Sequence, residues 1–362
     1  MSDIKALLIF LSQFDLTTSK TTQILDYLGE NASIKAFRKE KLDKAGILKS
    51  ENYNKMIEFA DEEFVNTFVV NQEARGIKIV CKFDDDYPQK LFDLYDAPYV
   101  LYYMGDISLA NKPSLSVVGT RKPTNYGKIV TEKLVRDVAS AGVVIVSGLA
   151  YGVDSIAHRA TLDVGGKTIA ILGGGFDHIY PSEHQGLADE IAKKGLLLSE
   201  YRPRKTATKY TFPTRNRIVA GLSDGVLITE ASIKSGTIHT KDFALDYGKT
   251  IYAVPGNIDN VNSALPNELI KTGQANTVIQ SKDILNDYSV SEKGKKQEAK
   301  FDLSTLSEEE QQIVKLLADG MKTIEEITKN TTLSINILNS YLTTLEISGI
   351  IRRMPGGYIG LN

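Results

Sequence analysis

The sequence predicts an α/β protein: a doubly wound parallel sheet, preceded by a helical segment and followed by a small winged-helix unit. Three observations lead there. From Leu115 onward, short apolar runs alternate with glycine turns and helical segments. Each run is continuously apolar and rich in Val, Ile and Leu, as a strand buried on both faces must be. At both ends of the chain, apolar residues instead recur at the spacing of an amphipathic helix.

Residues 1–75 read as short helices, with Leu7, Leu8 and Leu11 on one apolar face and Ile24, Leu25 and Leu28 on another. Gly29 and Gly46 punctuate them as helix stops. Strands are expected at 77–81 and 98–106. The core strands then follow at 115–119, 143–148, 168–174, 196–201, 225–231 and 250–256. Helical segments such as 131–142 and 183–195 separate them, and this alternation predicts right-handed crossovers onto a parallel sheet. The core therefore spans 76–288. A polar, lysine-rich stretch at 289–303 reads as a linker. In 304–362, three helical segments precede a hairpin turning at Pro355-Gly356-Gly357, the order of a winged helix.

A chain of 362 residues calls for two or three domains. Its net charge of −2 hides a split: Pro113–Tyr288 holds 20 Lys/Arg against 17 Asp/Glu, which leaves the remainder acidic. The single cysteine, Cys81, excludes an intrachain disulfide framework and suits a reducing compartment. No leader pattern and no apolar stretch of membrane-spanning length is present, so a soluble cytoplasmic protein without a membrane partner is expected.

Open parallel sheets bind ligands at the carboxyl ends of their strands. Here those ends run into VVGTRKP (117–123), SGLAYGVD (147–154), GGG (173–175), TEASIKSGT (229–237) and PGN (255–257). Glycine permits the backbone conformations that turn amide hydrogens toward an anion, and helix amino termini add their dipoles. Five such loops on one edge, with Gly119, Arg121 and Lys122 in the first, predict a phosphate-binding surface. Familiar cofactor motifs are missing. VGGKT (164–168) lacks the first P-loop glycine, having Thr161 there, and enters a strand rather than a helix. VVGTRKP has one glycine where a dinucleotide fingerprint needs three. No cofactor is expected.

Catalytic signatures are equally thin. No G-x-S-x-G elbow exposes Ser147 or Ser235, and His178 and His184 lack zinc-ligand spacing. His158 reads as structural and Asp154 as a helix cap. Glu200 and Glu230 end two strands and read as groups that orient nearby basic side chains. The most informative stretch is 201–217. It carries Arg202, Arg204, Lys205, Lys209, Arg215 and Arg217, interleaved with Tyr201, Tyr210 and Phe212, and no acid. Cations that follow phosphates, with aromatic faces that stack bases, suit single-stranded nucleic acid. A groove-reading helix for duplex DNA is not evident in the core.

In order and with matching spacing, the chain carries VVGTRKPTNYG, SGLAYGVDSIAH, AILGGGFDHIYPSEH, LLSEY, FPTRNRIVAGLSDGVLITEA, SGT and IYAVPGNI. Over about residues 85–288 it thereby resembles the DNA-processing protein A (Smf) family. That resemblance implies an extended Rossmann core that binds single-stranded DNA as a homodimer. It further implies a protein that loads the RecA recombinase onto incoming strands in natural transformation, without catalysis. Carried over by position, it implies Arg121 and Lys209 as phosphate contacts. Ser147, Gly148, Phe212, Arg215, Asn216, Ser235 and Gly236 fall in the matching pocket, with Arg217 and Thr237 in the same blocks. One departure is Tyr151, where the family commonly has Arg. The competing reading is a nucleotide-cleaving phosphoribohydrolase on a related core, for which Glu230 and Gly236-Thr237 survive while the preceding PGG is absent.

The last unit departs from what its fold suggests. Winged helices usually read duplex DNA through the third helix. Ser334–Gly349 contains no Lys or Arg, and Ser304–Asn362 holds five basic against seven acidic residues. Phosphate neutralisation supplies most nucleic-acid affinity, so this unit is expected to take a protein-contact or regulatory role, with only Arg352 and Arg353 on the wing arguing for DNA. The first 75 residues resemble the sterile-alpha-motif-like or helix-hairpin-helix region often attached to the family.

Overall fold

The structure is a computed structural model that describes residues 1–288, 306–318, 322–331, 333–348, 350–353 and 358–361. Contacts divide the chain into two units, Met1–Gly294 and Lys295–Asn362. The expected linker at 289–303 and the turn at 355–357 lie outside the described residues.

The first unit opens with α1 (Asp3–Leu11), α2 (Thr18–Leu28), α3 (Ile34–Lys39), α4 (Ser50–Ile57) and α5 (Glu62–Glu73). Ser2, Thr17, Ser33 and Asp61 cap four of these helices with side-chain oxygens, each accepting an otherwise orphaned amide hydrogen. Gly29 ends α2 at φ 62°, a left-handed conformation that glycine adopts without a Cβ clash. These helices are not a free-standing bundle. Their core, with Leu7, Phe10, Ile24, Phe37 and Met56, is continuous with Cys81, Val100 and Tyr102 of the sheet.

The sheet has nine strands: β1 (Lys78–Cys81), β2 (Val100–Gly105), β3 (Ser114–Val118), β4 (Val144–Ser147), β5 (Thr168–Ile171), β6 (Leu196–Ser199), β7 (Gly225–Ile228), β8 (Thr250–Ala253) and β9 (Asn276–Thr277). Their spatial order is β1-β2-β6-β5-β4-β3-β7-β8-β9. From β6 through β9 the pairs are parallel, while β1 and β2 run antiparallel at one edge. Alternation within each core strand explains the continuous apolar runs. In β4, Val144 and Val146 face one layer and Ile145 the other; Val226, Ile228 and Leu227 divide likewise in β7. Helices α6 (Gln89–Phe92), α7 (Asn125–Ser140), α8 (Val153–Asp163), α9 (Gln185–Lys194), α10 (Thr211–Leu222), α11 (Thr237–Asp246), α12 (Ala264–Lys271) and α13 (Lys282–Leu285) complete the unit.

Strand order reverses at β3. The chain builds outward through β4, β5 and β6, then returns to place β7 on the other side of β3. Val118 pairs with Ile228, so β3 and β7 end side by side. An open α/β sheet leaves a crevice at such a switch point. The expected Rossmann-like architecture is what the chain adopts, with an antiparallel edge added.

The second unit contains α14 (Glu308–Ala318), β10 (Lys322–Thr323), α15 (Ile324–Lys329), α16 (Ile335–Ile347), β11 (Ile351–Arg353) and β12 (Tyr358–Leu361). Its strands order as β10-β12-β11 around a core of Ile313, Leu317, Ile327, Leu338, Leu342 and Ile359. This is a winged helix. Thr323 and Glu326 close a reciprocal capping box that starts α15. Among the described residues, no helix of either unit is long and apolar enough to cross a membrane.

Candidate nucleic-acid interface

The switch-point crevice is occupied by the protein itself. Thr120 donates its amide to the Glu230 carbonyl at 2.6 Å. The buried Glu230 carboxylate accepts from the Thr124 amide at 2.8 Å and the Thr124 hydroxyl at 2.6 Å, with Asn260 at 3.4 Å. Gly127 is glycine because a Cβ there would fall 2.3 Å from Glu230 Oε2. Glu230 thus clamps the loop after β3, rather than orienting a basic side chain as its sequence position suggested.

The glycines repeat this lesson. A Cβ on Gly148 would meet the Arg215 guanidinium at 2.5 Å, and one on Gly173 the Phe212 ring at 2.5 Å. Gly174 and Gly175 are pressed against the backbone of Lys205 and Pro203, and Gly119 against Val153 and Glu230. The expectation of open amide cradles is therefore corrected: these loops need glycine because the chain packs on itself there. Gly236 differs, having nothing within 4 Å of a Cβ position.

The loop after β4 is the most constrained. Leu149 holds φ 60°, a conformation that costs a non-glycine residue about 1–2 kcal/mol. His184 donates from Nδ1 to its carbonyl at 2.8 Å. Asp154 does not cap α8, whose N-cap is Gly152. Its buried carboxylate instead accepts from the amides of Gly148 at 3.1 Å and Ala150 at 3.3 Å. Burial raises its pKa, and the Arg215 charge opposes that rise. His158 is structural, as expected: wholly buried, bonded through Nδ1 to Thr168 at 2.7 Å, and pushed down to about 3 by desolvation.

The basic segment divides sharply. Arg215, 4% exposed, donates to the carbonyls of Gly148 at 2.6 Å and Ile171, and desolvation lowers its pKa to about 10. Arg217, 5% exposed, pairs with Glu200 and lies 3.8 Å from Asp96. Arg202 donates to the Gln13 carbonyl, and Lys205 pairs with Asp15 at 2.9 Å. Four of the six cations in 201–217 are thus spent inside the protein. Arg204 and Lys209 remain exposed, as do Arg121 and Lys122 on the β3 loop, and none of these four enters an ion pair among the described residues.

Two of these exposed cations lie over aromatic rings. The Arg121 guanidinium lies 5.6 Å from the Phe212 ring centre, and its charge is felt at Arg215 beneath. Lys209 lies 5.0 Å from the ring of the exposed Tyr210. Asn216 reaches the Gly236 carbonyl at 3.4 Å, tying α10 to the loop before α11. Among the described residues the buried Ser235 hydroxyl has no partner, and Thr237 is buried at the start of α11. Ser147 lies below this surface, donating to the Val117 carbonyl at 2.7 Å. Of the residues expected to meet DNA, Arg121, Lys122 and Lys209 are exposed and Phe212 half-buried. Ser147, Gly148, Arg215, Arg217 and Thr237, expected in the same site, are buried. Tyr180, 5.3 Å from Phe212, escaped the sequence reading, although it stands in a glycine-rich strand-end loop.

A family model described as DNA recombination-mediator protein A matches residues 78–289. The chain belongs to that family. A second model, the DprA winged helix domain, matches residues 297–357. The chain is 35% identical over 278 residues to the DNA processing protein DprA of Streptococcus pneumoniae, covering 77% of this chain and 96% of that one. It is 41% identical over 214 residues to its Bacillus subtilis namesake, covering 59% and 72%. The X-ray structure of the pneumococcal protein superposes with a TM-score of 0.67 at 34% identity, over 79% of this chain and 98% of that chain. A Helicobacter pylori structure described for its single-stranded DNA binding mode superposes at 0.53 and 35% identity, over 58% and 94%. A DNA-processing role follows from membership.

Proposed function

We propose that this member of the family binds single-stranded DNA on the exposed edge formed by Arg121, Lys122, Arg204 and Lys209 around Phe212. The observation that carries this reading is the division of the cations. Four of the six cations in 201–217 are held by internal acceptors, whereas Arg204 and Lys209, with Arg121 and Lys122 on the loop after β3, are exposed and pair with no carboxylate among the described residues. Positive groups left unpaired beside a half-buried aromatic suit a flexible phosphodiester with unstacked bases. Ser235, Gly236 and Asn216 border this surface and are proposed to take part through the open backbone at Gly236.

The protein acts without catalysis, in the cytoplasm, as a homodimer through its Rossmann core, and passes the strand to the RecA recombinase. Support comes from the family's description as a recombination mediator and from the commitment of each strand-end acid to a structural bond. Glu230, which a phosphoribohydrolase would need free, is bonded to Thr124 on two sides. The winged helix, with no basic residue in α16, takes a protein-contact role.

Salt-titrated binding of single-stranded and duplex oligonucleotides tests the central claim. Single strands should bind more tightly, with an affinity that falls steeply with salt. Retention of single-strand affinity by Arg121→Ala with Lys209→Ala would sink it. Release of base or ribose phosphate from nucleoside monophosphates, abolished by Glu230→Gln, would favour the enzyme instead. Light scattering with and without RecA checks the dimer and the partner.

A further inference from the structure

We infer that Tyr180 and Tyr151 continue the proposed strand path as a stacking track for bases, a claim that rests on the reading of the Arg121–Lys209 surface as the single-strand site. Tyr180 is 50% exposed, yet its ring centre lies 5.3 Å from that of Phe212, tilted by 52°. Phe212 in turn carries Arg121 on its face. Tyr151, 37% exposed, is joined to the Tyr180 loop through His184, whose amide donates to the Pro181 carbonyl at 3.0 Å. Its ring is seated edge-on against His184 at 5.1 Å. The half-buried ring at the anchor is thereby followed by two rings open to solvent.

Both tyrosines are held by rigid neighbours. His184 is buried and bonded to the Leu149 carbonyl, so the ring that supports Tyr151 is itself fixed. Gly173 lets Phe212 pack flat on the strand end, and Tyr180 leans on Phe212. Rigid aromatic faces give contact area at little entropic cost. Glu183 stands beside Tyr151 and pushes its hydroxyl up to about 12. A carboxylate there disfavours a phosphate, so this end of the path offers stacking rather than charge. Tyr151 therefore contributes a contact of a different kind from a cationic side chain, one that no change in salt should weaken.

The test uses the full chain and two labelled oligonucleotides of equal length, one of thymidines and one with the same backbone but abasic. Tyr180→Ala and Tyr151→Ala should each weaken thymidine-strand binding by about tenfold and leave abasic binding and the salt slope unchanged. Tyr180→Leu should be as weak as Tyr180→Ala, and Tyr180→Phe should restore wild-type binding. The inference is overturned if the alanine variants bind the thymidine strand like wild type, or lose equally on both strands. Arg121→Ala with Lys209→Ala separates the two levels. If that pair loses affinity on both strands while the tyrosine variants do not, the anchor site stands and the track falls. If the pair binds like wild type, both fall.

Discussion

The loop after β3 and the segment entering α10 both look basic in sequence, but they use their cations in opposite ways. In the β3 loop, Arg121 and Lys122 are exposed and have no ion-pair partner among the described residues, and the loop is held from below by Glu230 through its backbone. In 201–217, Arg215 and Arg217 are buried, and Arg202 and Lys205 are tied to the loop between α1 and α2. A buried guanidinium serves as a bracket because its five fixed donors can satisfy carbonyls that no amide reaches. Arg215 does this for Gly148 and Ile171, joining the ends of β4 and β5 to α10. An exposed one is left with an unmet charge. Charge at an interface is therefore a matter of which cations lack internal acceptors, and a count of Lys and Arg overstates it.

The largest effect expected from this division is on stability. Arg217→Ala leaves Glu200 buried beside Asp96 without its partner and should cost about 3–5 kcal/mol in denaturant unfolding. Arg121→Ala should change stability by no more than about 0.5 kcal/mol, since its side chain is exposed. Equal losses would dissolve the distinction. Acid probes the same buried layer. His158 titrates near 3 when folded and near its ordinary value when unfolded. Protons therefore bind the unfolded chain first as pH falls below about 6.5, and stability drops until about pH 3. The contribution is a slope of roughly 1.4 kcal/mol per pH unit in that window. His158→Gln should remove that slope, as followed by urea midpoints across the range. Asp154 and Glu200, with raised values, act in the opposite sense in both proteins and cancel from the difference.

Much of the fold was legible for a simple reason. Strands buried on both faces are written as continuous apolar runs, so β3 through β8 could be placed from Leu115, Val144, Ile169, Leu196, Val226 and Ile251. β9 could not, because Asn276 and Thr277 are exposed and carry no apolar signal. The site was half legible. Arg121, Lys209 and Phe212 stand out by residue type, but the groups that remove Arg202 and Arg215 from the surface are main-chain carbonyls of Gln13, Gly148 and Ile171. A carbonyl is present at every position, so nothing in the sequence marks those three as acceptors. Gly148 and Gly173 misled for a related cause: the sequence shows that a side chain is excluded, not whether a ligand or the protein's own Arg215 and Phe212 fills the space.

Binding measurements sharpen the contrast from the exposed side. Arg121→Ala with Lys209→Ala removes two proposed phosphate contacts and should weaken single-strand binding roughly a hundred- to ten-thousandfold, given about 1.5–3 kcal/mol per charged hydrogen bond and about 1.4 kcal/mol per tenfold. The same variant should lower the slope of log affinity against log salt by about 1.4, the single-strand value for two contacts. An affinity loss with an unchanged slope would mean that these residues shape the site rather than neutralise phosphate.

The smallest effect is the most direct, because it moves one cation between the two classes. Lys205 is held by Asp15 at 2.9 Å, and Asp15 is largely exposed, so the pair contributes less than about 1 kcal/mol to stability. Asp15→Asn should therefore leave unfolding nearly unchanged while releasing the lysine beside Arg204 and ahead of Lys209. If the internal partner is what withholds Lys205 from a strand, the salt slope should steepen by about 0.7 and the affinity at low salt should rise several-fold. The hydroxyls and carbonyls around Lys205 stay in place in this variant, so a gain can be assigned to the freed charge. A slope that does not move would show that Lys205 is kept from the strand by its position, and that pairing follows from placement rather than enforcing it.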